Sequence, residues 1–196
     1  SAFSCGGGNK ANSTSEQSEE TAVNVPQFDA DSAYLYVKNQ VDFGPRVPNT
    51  KEHVACGNYL AGQLEAFGAQ VTNQYADLIA YDGTLLKARN IIGSYKPESK
   101  KRIALFAHWD TRPWADNDPD EKNHNTPILG ANDGASGVGA LLEIARLVNQ
   151  QQPELGIDII LLDAEDYGAP QFYTGQHKEE FWCLGSQYWA RNPHVQ

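Results

Sequence analysis

An α/β fold is what the sequence predicts, on three observations. Residues 103–107 are a continuous apolar run, and residues 157–162 are apolar but for Asp158, the pattern of strands buried on both faces and paired in parallel. Between them, residues 136–149 carry Val138, Leu141, Leu142, Ala145 and Val148 at helical spacing, so the order is strand, helix, strand. Each apolar run also ends in side chains suited to metal or acid–base chemistry. His108-Trp109-Asp110 follows the first and Glu165-Asp166 the second, at the sheet edge where such folds place their sites.

The other elements follow in chain order. Gly6 to about Thr21 is rich in Gly, Asn, Ser and Glu and reads as a disordered tether. We therefore divide the chain into a tail over residues 1–22 and one catalytic-domain segment over 23–196. Asp31 to Phe43 carries an apolar helical stripe that Gly44-Pro45 ends. Asn49-Thr50-Lys51-Glu52 is a capping pattern for a second helix, with Val54, Ala55, Tyr59, Leu60, Leu64 and Phe67 on its inward side and Gly68 as its stop. Residues 70–80 and 85–95 read as strands joined by a hairpin turn at Tyr81-Asp82-Gly83-Thr84. Residues 112–129 form a long polar loop, 168–182 a second irregular segment, and Gly185 opens a last helix.

Composition narrows the function classes. A net charge of −10 argues against a nucleic-acid surface, which needs a basic patch. No run of 18 apolar residues is present, so no helix is expected to cross a membrane. The chain has no Met, and we read it as part of a longer protein. Ser1-Ala2-Phe3-Ser4-Cys5-Gly6-Gly7-Gly8 is similar to the end of a bacterial lipoprotein signal, with Cys5 as the lipidated residue; the alternative is a free Cys in a flexible tail. The lipoprotein reading makes the protein exported, either periplasmic or membrane-anchored. Cys56 and Cys183 are expected to be two buried thiols rather than a disulfide, and the lack of a CxxC pair argues against a thiolate zinc site.

Three groups form the candidate site, and each has a plain alternative. His108 and Asp110 lie two apart at a strand end, so their side chains share a face and Asp110 can orient the imidazole; a hydrogen-bonded structural His is the other reading. Asp133, within Gly130-Ala131-Asn132-Asp133-Gly134, is either a metal ligand or the N-cap of the helix that follows. Glu165 and Asp166 are adjacent acids after five Ile and Leu, costly there unless they bind a cation or share a proton; a solvated acid pair is the alternative. Taken together they suit a zinc ion, with one acid binding metal and its neighbour moving protons.

His108-x-Asp110, Gly130-x-x-Asp133, the Glu165-Asp166 pair and the later Gly185-Ser186 resemble the zinc-dependent aminopeptidase and glutaminyl cyclase superfamily. Phe43-Gly44-Pro45-Arg46-Val47-Pro48 and Ala88-Arg89-Asn90-Ile91-Ile92-Gly93 are similar to its N-terminal segments. The resemblance implies a mixed, mostly parallel sheet flanked by helices, the zinc exopeptidase-like fold. Two-zinc aminopeptidases usually show Gly-x-Asp-Asp and a Glu-Glu pair with Gly-Ser close behind. Here Asn132 and Asp166 depart from that pattern, and 18 residues, Tyr167 to Leu184, precede Gly185. Those departures, with Trp109, Trp114 and Tyr167 as candidate pocket aromatics, resemble the glutaminyl cyclases.

That branch implies an enzyme that converts the N-terminal glutamine of a peptide or protein to pyroglutamate and releases ammonia. It implies one Zn²⁺ held by Asp133, Asp166 and a His beyond residue 196, with Glu165 as general base and then general acid. The chain is accordingly expected to be the N-terminal part of the domain. His124, His177 and His194, the last placed at a fraying end, are poor substitutes for the missing ligand. Two alternatives stay open. In a two-metal aminopeptidase, His108 joins the ligands and Glu165 activates water; in a non-catalytic lipoprotein, the fold is a binding module. Oligomeric state is not legible in the sequence.

Overall fold

The computed structural model describes residues 23–195. Cys5 and the tether expected over residues 1–22 lie outside the described residues. Helix α1 (Ala30–Asp42) starts where the Asp29 carboxylate accepts the amides of Asp31 and Ser32, donors that a first turn leaves unpaired. Helix α2 (Lys51–Ala66) is capped by Thr50, whose hydroxyl accepts the His53 amide, and stops before Gly68 at φ +77°. Strands β1 (Gln70–Ile79) and β2 (Leu85–Tyr95) form the expected hairpin, with Asp82 accepting the Thr84 amide and Gly83 at φ +85°. Strand β3 (Arg102–His108), helix α3 (Gly137–Gln150), strand β4 (Gly156–Leu162) and helix α4 (Leu184–Arg191) follow.

The sheet order is β1-β2-β4-β3; β2 is antiparallel to both β1 and β4, and β3 is parallel to β4. The sheet is mixed and helix-flanked, as expected. Parallel pairing, expected to dominate, is confined to β3 and β4 among the described residues. That single parallel pair positions the site: His108 stands opposite Leu162, so the chains leaving β3 and β4 emerge at the same edge.

Leu60, Leu64, Ile91, Val138, Leu142, Ile159 and Leu161 fill the core between α1, α2, α3 and the sheet. Every residue of the α3 stripe read from the sequence is buried, and so is all of β4. Two expectations change. Helix α2 turns His53, Cys56, Leu60 and Leu64 inward, leaving Ala55 exposed and Val54 56% exposed. The cause is polar: His53 meets a buried Asp163 from beyond β4. Strand β3 is parallel but not buried on both faces; it is the sheet edge among the described residues, with Ile103 46% and Phe106 47% exposed. Cys56 is a buried free thiol as expected, whereas Cys183, expected to be buried too, is free and only half-buried.

Beyond β4 the chain makes an excursion and returns. The amides of Cys183, Leu184 and Gly185 donate to the carbonyls of Glu165, Ala164 and Asp163 at 2.9, 3.0 and 3.1 Å. Residues 183–185 therefore run back beside 163–165. Gly185 has no room for a side chain, because a Cβ there would strike the Asp163 carbonyl and come within 2.6 Å of Asn90 Oδ1.

Candidate functional site

Asp110 is fully buried and organises the site. Its Oδ1 accepts the Glu165 amide and its Oδ2 the Asp166 amide, each at 3.1 Å. The acid pair is thus fixed through its own backbone by a carboxylate from the neighbouring strand end. Asp110 Oδ1 lies 3.4 Å from His108 Nδ1, which has no hydrogen-bond partner among the described residues. Asp110 therefore acts on the imidazole through charge, while its hydrogen bonds support the acids.

Asp133 sits in a kinked turn between two left-handed glycines, Gly130 at φ +57° and Gly134 at φ +92°. Its own backbone is extended, at φ −95° and ψ 101°. No side chain caps α3, so the N-cap alternative for Asp133 does not hold. Its side chain is 61% exposed, with Oδ1 at 2.9 Å from His108 Nε2. Gly134 permits this approach, since a Cβ there would stand 2.8 Å from the His108 carbonyl and 3.0 Å from its ring. His108 thus bridges two carboxylates. Burial opposes its charge, but Asp110, Glu165 and Asp133 outweigh burial and hold the imidazole at about 9.

Glu165 and Asp166 face different surroundings. Glu165 Oε1 accepts the Cys183 thiol at 3.2 Å. Asp166 points into a cavity of about 290 Å³ whose lining includes Asp133, Arg112, His177 and Trp182. Its Oδ2 is buried and has no hydrogen-bond partner among the described residues. Burial, then the charges of Asp133 and Asp110, push its carboxyl up to about 6. A concentration of acids that raises its own pKa is one that a cation would relieve.

The aromatic residues divide. Trp114 packs edge-on against Tyr167 at 5.3 Å and against Tyr81 at 5.7 Å, and it lines a second cavity, of about 260 Å³, that also contains Asp133. Trp182 lines the first cavity. Trp109, expected in the pocket, is instead wholly buried: it stacks on His53 at 4.3 Å, and its indole N–H donates to the Arg89 carbonyl. It is core, because the residue between His108 and Asp110 must leave on the opposite face of the chain. His177 lines the first cavity with its Nε2 at 3.0 Å from the Tyr173 carbonyl. His194 does not fray; it is packed against Trp189 and sits 3.3 Å from Asp158.

Three neighbours, Asp163, His53 and Arg112, escaped the sequence reading. Asp163 is wholly buried, with Oδ2 at 2.8 Å from His53 Nε2 and accepting the Arg89 amide at 2.7 Å, and Oδ1 accepting the Ala164 amide at 2.7 Å. Burial pushes its carboxyl up, against the pull of His53. An Asp directly after a mostly apolar, buried strand was the available signal, but its partner lies 110 residues earlier. The third, Arg112, makes a bidentate pair with Asp116 and donates to the carbonyls of Asp166 and Gly168, with Trp182 4.8 Å away over its face. It ties the loop after β3 to the excursion after β4.

The donor set around Asp133 suits a zinc ion in kind but not in number. Two carboxylates and an imidazole are the right chemistry, and the buried, unpartnered Asp166 oxygen is a ligand atom in waiting. The count is incomplete: no three His, Cys, Asp or Glu side chains converge to hold a metal among the described residues.

A family model, Peptidase family M28, matches residues 90–196, over half of the chain. Bacteroides thetaiotaomicron glutaminyl cyclase bound to N-acetylhistamine is 94% identical with TM-score 0.87, over 88% of this chain and 59% of that one. A leucine aminopeptidase precursor from Bacteroides thetaiotaomicron is also 94% identical, with TM-score 0.88, over 89% of this chain and 60% of that one. The uncharacterized protein YfbL of Escherichia coli is 35% identical over 115 residues, 59% of this chain and 32% of its own length. The chain therefore spans well under two thirds of each of these relatives.

Proposed function

The chain belongs to Peptidase family M28, and from that membership and the site's geometry we propose that it forms part of a glutaminyl-peptide cyclotransferase. The observation that carries the proposal is the divergence of two adjacent acids. Asp166 faces Asp133 across a cavity, while Glu165 is held apart by Cys183. One is placed for a cation and the other for a proton. The 94% identity to a glutaminyl cyclase supports the choice of reaction.

Asp133 and Asp166 would hold a zinc ion, with the third ligand assigned to a histidine in the part of the domain that this chain does not span. The metal's contribution is Lewis-acid polarisation of the glutamine side-chain carbonyl. Glu165 takes a proton from the substrate α-amine as the nitrogen bonds to the side-chain carbonyl carbon. It returns that proton to the departing nitrogen, which leaves as ammonia while the five-membered lactam closes. Asp110 keeps Glu165 in place through its backbone amide. Trp182 and Trp114, which line the two cavities beside Asp133, wall the space against water, which would hydrolyse rather than cyclise, and Tyr167 backs Trp114.

A second reading, a two-metal aminopeptidase, draws on the 2.9 Å contact of His108 with Asp133 and on the leucine aminopeptidase precursor's similarity. Incubating the complete protein with a Gln-initiated peptide separates the two. Ammonia release without loss of a residue is expected; release of free glutamine would favour the peptidase. Export and anchoring through Cys5 belong to the same proposal and rest on residues 1–22 alone. Cys5→Ser is expected to free the protein from membranes, and a soluble protein with Cys5 intact would rule the anchor out.

A further inference from the structure

Two side chains from the N-terminal segment grip the loop that carries Asp133. Arg46 is wholly buried and makes no ion pair among the described residues. Its guanidinium is spent on carbonyls instead: Nη1 donates to Gly44 at 3.1 Å and Leu129 at 2.5 Å, and Nη2 to Gly130 at 3.0 Å. The Arg46 carbonyl in turn accepts the Thr111 amide at 3.2 Å, one residue past Asp110. Gln40, also wholly buried, donates from Nε2 to the Ala135 carbonyl at 3.1 Å and to the Tyr36 carbonyl at 3.0 Å. The gripped carbonyls of Leu129, Gly130 and Ala135 bracket Asp133 on both sides. Gly130 leaves no slack, since a Cβ there would strike Thr111 and stand 2.5 Å from the Asp133 carbonyl.

A buried guanidinium with no carboxylate in ion-pair contact among the described residues is a costly way to hold a loop. A loop needing only to be covered could be packed with apolar side chains. The fork geometry of Arg fixes several carbonyls at set angles, which packing alone does not. Both residues also lie outside the 90–196 stretch that matches the family model.

We propose that Arg46 and Gln40 are positioning residues that set the Asp133 carboxylate for zinc, so that the metal affinity of the site is governed from α1 and the segment after it. The inference rests on the reading of Asp133 as a zinc ligand. Residues that orient a ligand from behind commonly tune affinity by about 10- to 100-fold without touching the metal.

The test uses the complete protein and zinc itself, with affinity read by chelator competition. Arg46→Met and Gln40→Ala are expected to weaken zinc by about 10- to 100-fold, and Arg46→Lys by less. Leu64→Ala, a core change away from the loop, should lower the melting temperature and leave zinc affinity alone. In the zinc-free protein, hydrogen exchange at residues 130–136 should quicken in Arg46→Met but not in Leu64→Ala. If Arg46→Met does not fold, Gln40→Ala carries the test. Folded Arg46→Met or Gln40→Ala that binds zinc as tightly as the parent overturns the proposal. Asp133→Ala is run alongside: full zinc retention there overturns the ligand assignment itself, and this inference with it, which separates the two failures.

Discussion

Asp163 and Asp166 lie three residues apart past the end of β4, both within a shell of carboxylates, and the fold treats them in opposite ways. Asp163 receives a buried histidine and two backbone amides. Asp166 keeps a buried oxygen with no hydrogen-bond partner among the described residues, and it faces Asp133 across a cavity. A buried charge that is fully hydrogen-bonded holds structure together, whereas one left unsatisfied costs stability and remains available to a ligand. The difference between the two separates support from chemistry within a single turn of chain.

The largest effect that would break the comparison is on Asp163. Asp163→Ala strips the partner from His53 and from the Arg89 and Ala164 amides, and it should cost about 3–5 kcal/mol in urea unfolding of the metal-free protein. A loss below 1 kcal/mol would mean that the pair is not structural. Next is Glu165→Gln, expected to lower turnover on the order of a hundredfold, about 2.7 kcal/mol in barrier, with fold and zinc content intact. Near-normal turnover would remove its assigned role. Asp166→Asn sharpens the contrast most directly. Metal-free stability should hold or rise, because burial, Asp133 and Asp110 all oppose the charge being removed, while zinc is lost. Destabilisation matching that of Asp163→Ala would erase the distinction. A small stability effect belongs to Asp133→Ala, within about 1 kcal/mol for an exposed carboxylate whose partner is His108, again with zinc lost; metal analysis of the purified variant checks it.

The sequence made the repeating parts of this site legible and the long-range parts opaque. The α3 stripe, the β1–β2 hairpin and the buried β4 run follow from local periodicity, and all appear where expected. The inward face of α2 does not follow, because His53 is drawn inside by a carboxylate 110 residues later and displaces Val54 from the core. Trp109 read as a pocket residue because it stands between two site residues; alternation along the chain sends it the other way, onto His53. The edge position of β3 depends on which strand pairs with it, which its apolar composition cannot reveal. Asp110 appeared as a partner for His108, and its larger task, holding the acid pair by two amides, needed the β3–β4 register.

The return of residues 183–185 beside 163–165 makes the intervening excursion a cassette. Its two ends are joined to one another at the sheet edge by three backbone hydrogen bonds, so beyond residues 166–171, which Arg112 and Asp116 hold, its length is nearly decoupled from the scaffold. Doubling such a loop adds only about 0.6 kcal/mol of closure entropy. The part of the wall around Asp166 that His177 and Trp182 supply can therefore be lengthened, trimmed or exchanged in evolution or by grafting, while Asp163, Glu165 and the glycine at 185 stay put. The shape of the cavity and protein stability become separately adjustable, with Gly185 as the fixed joint between them.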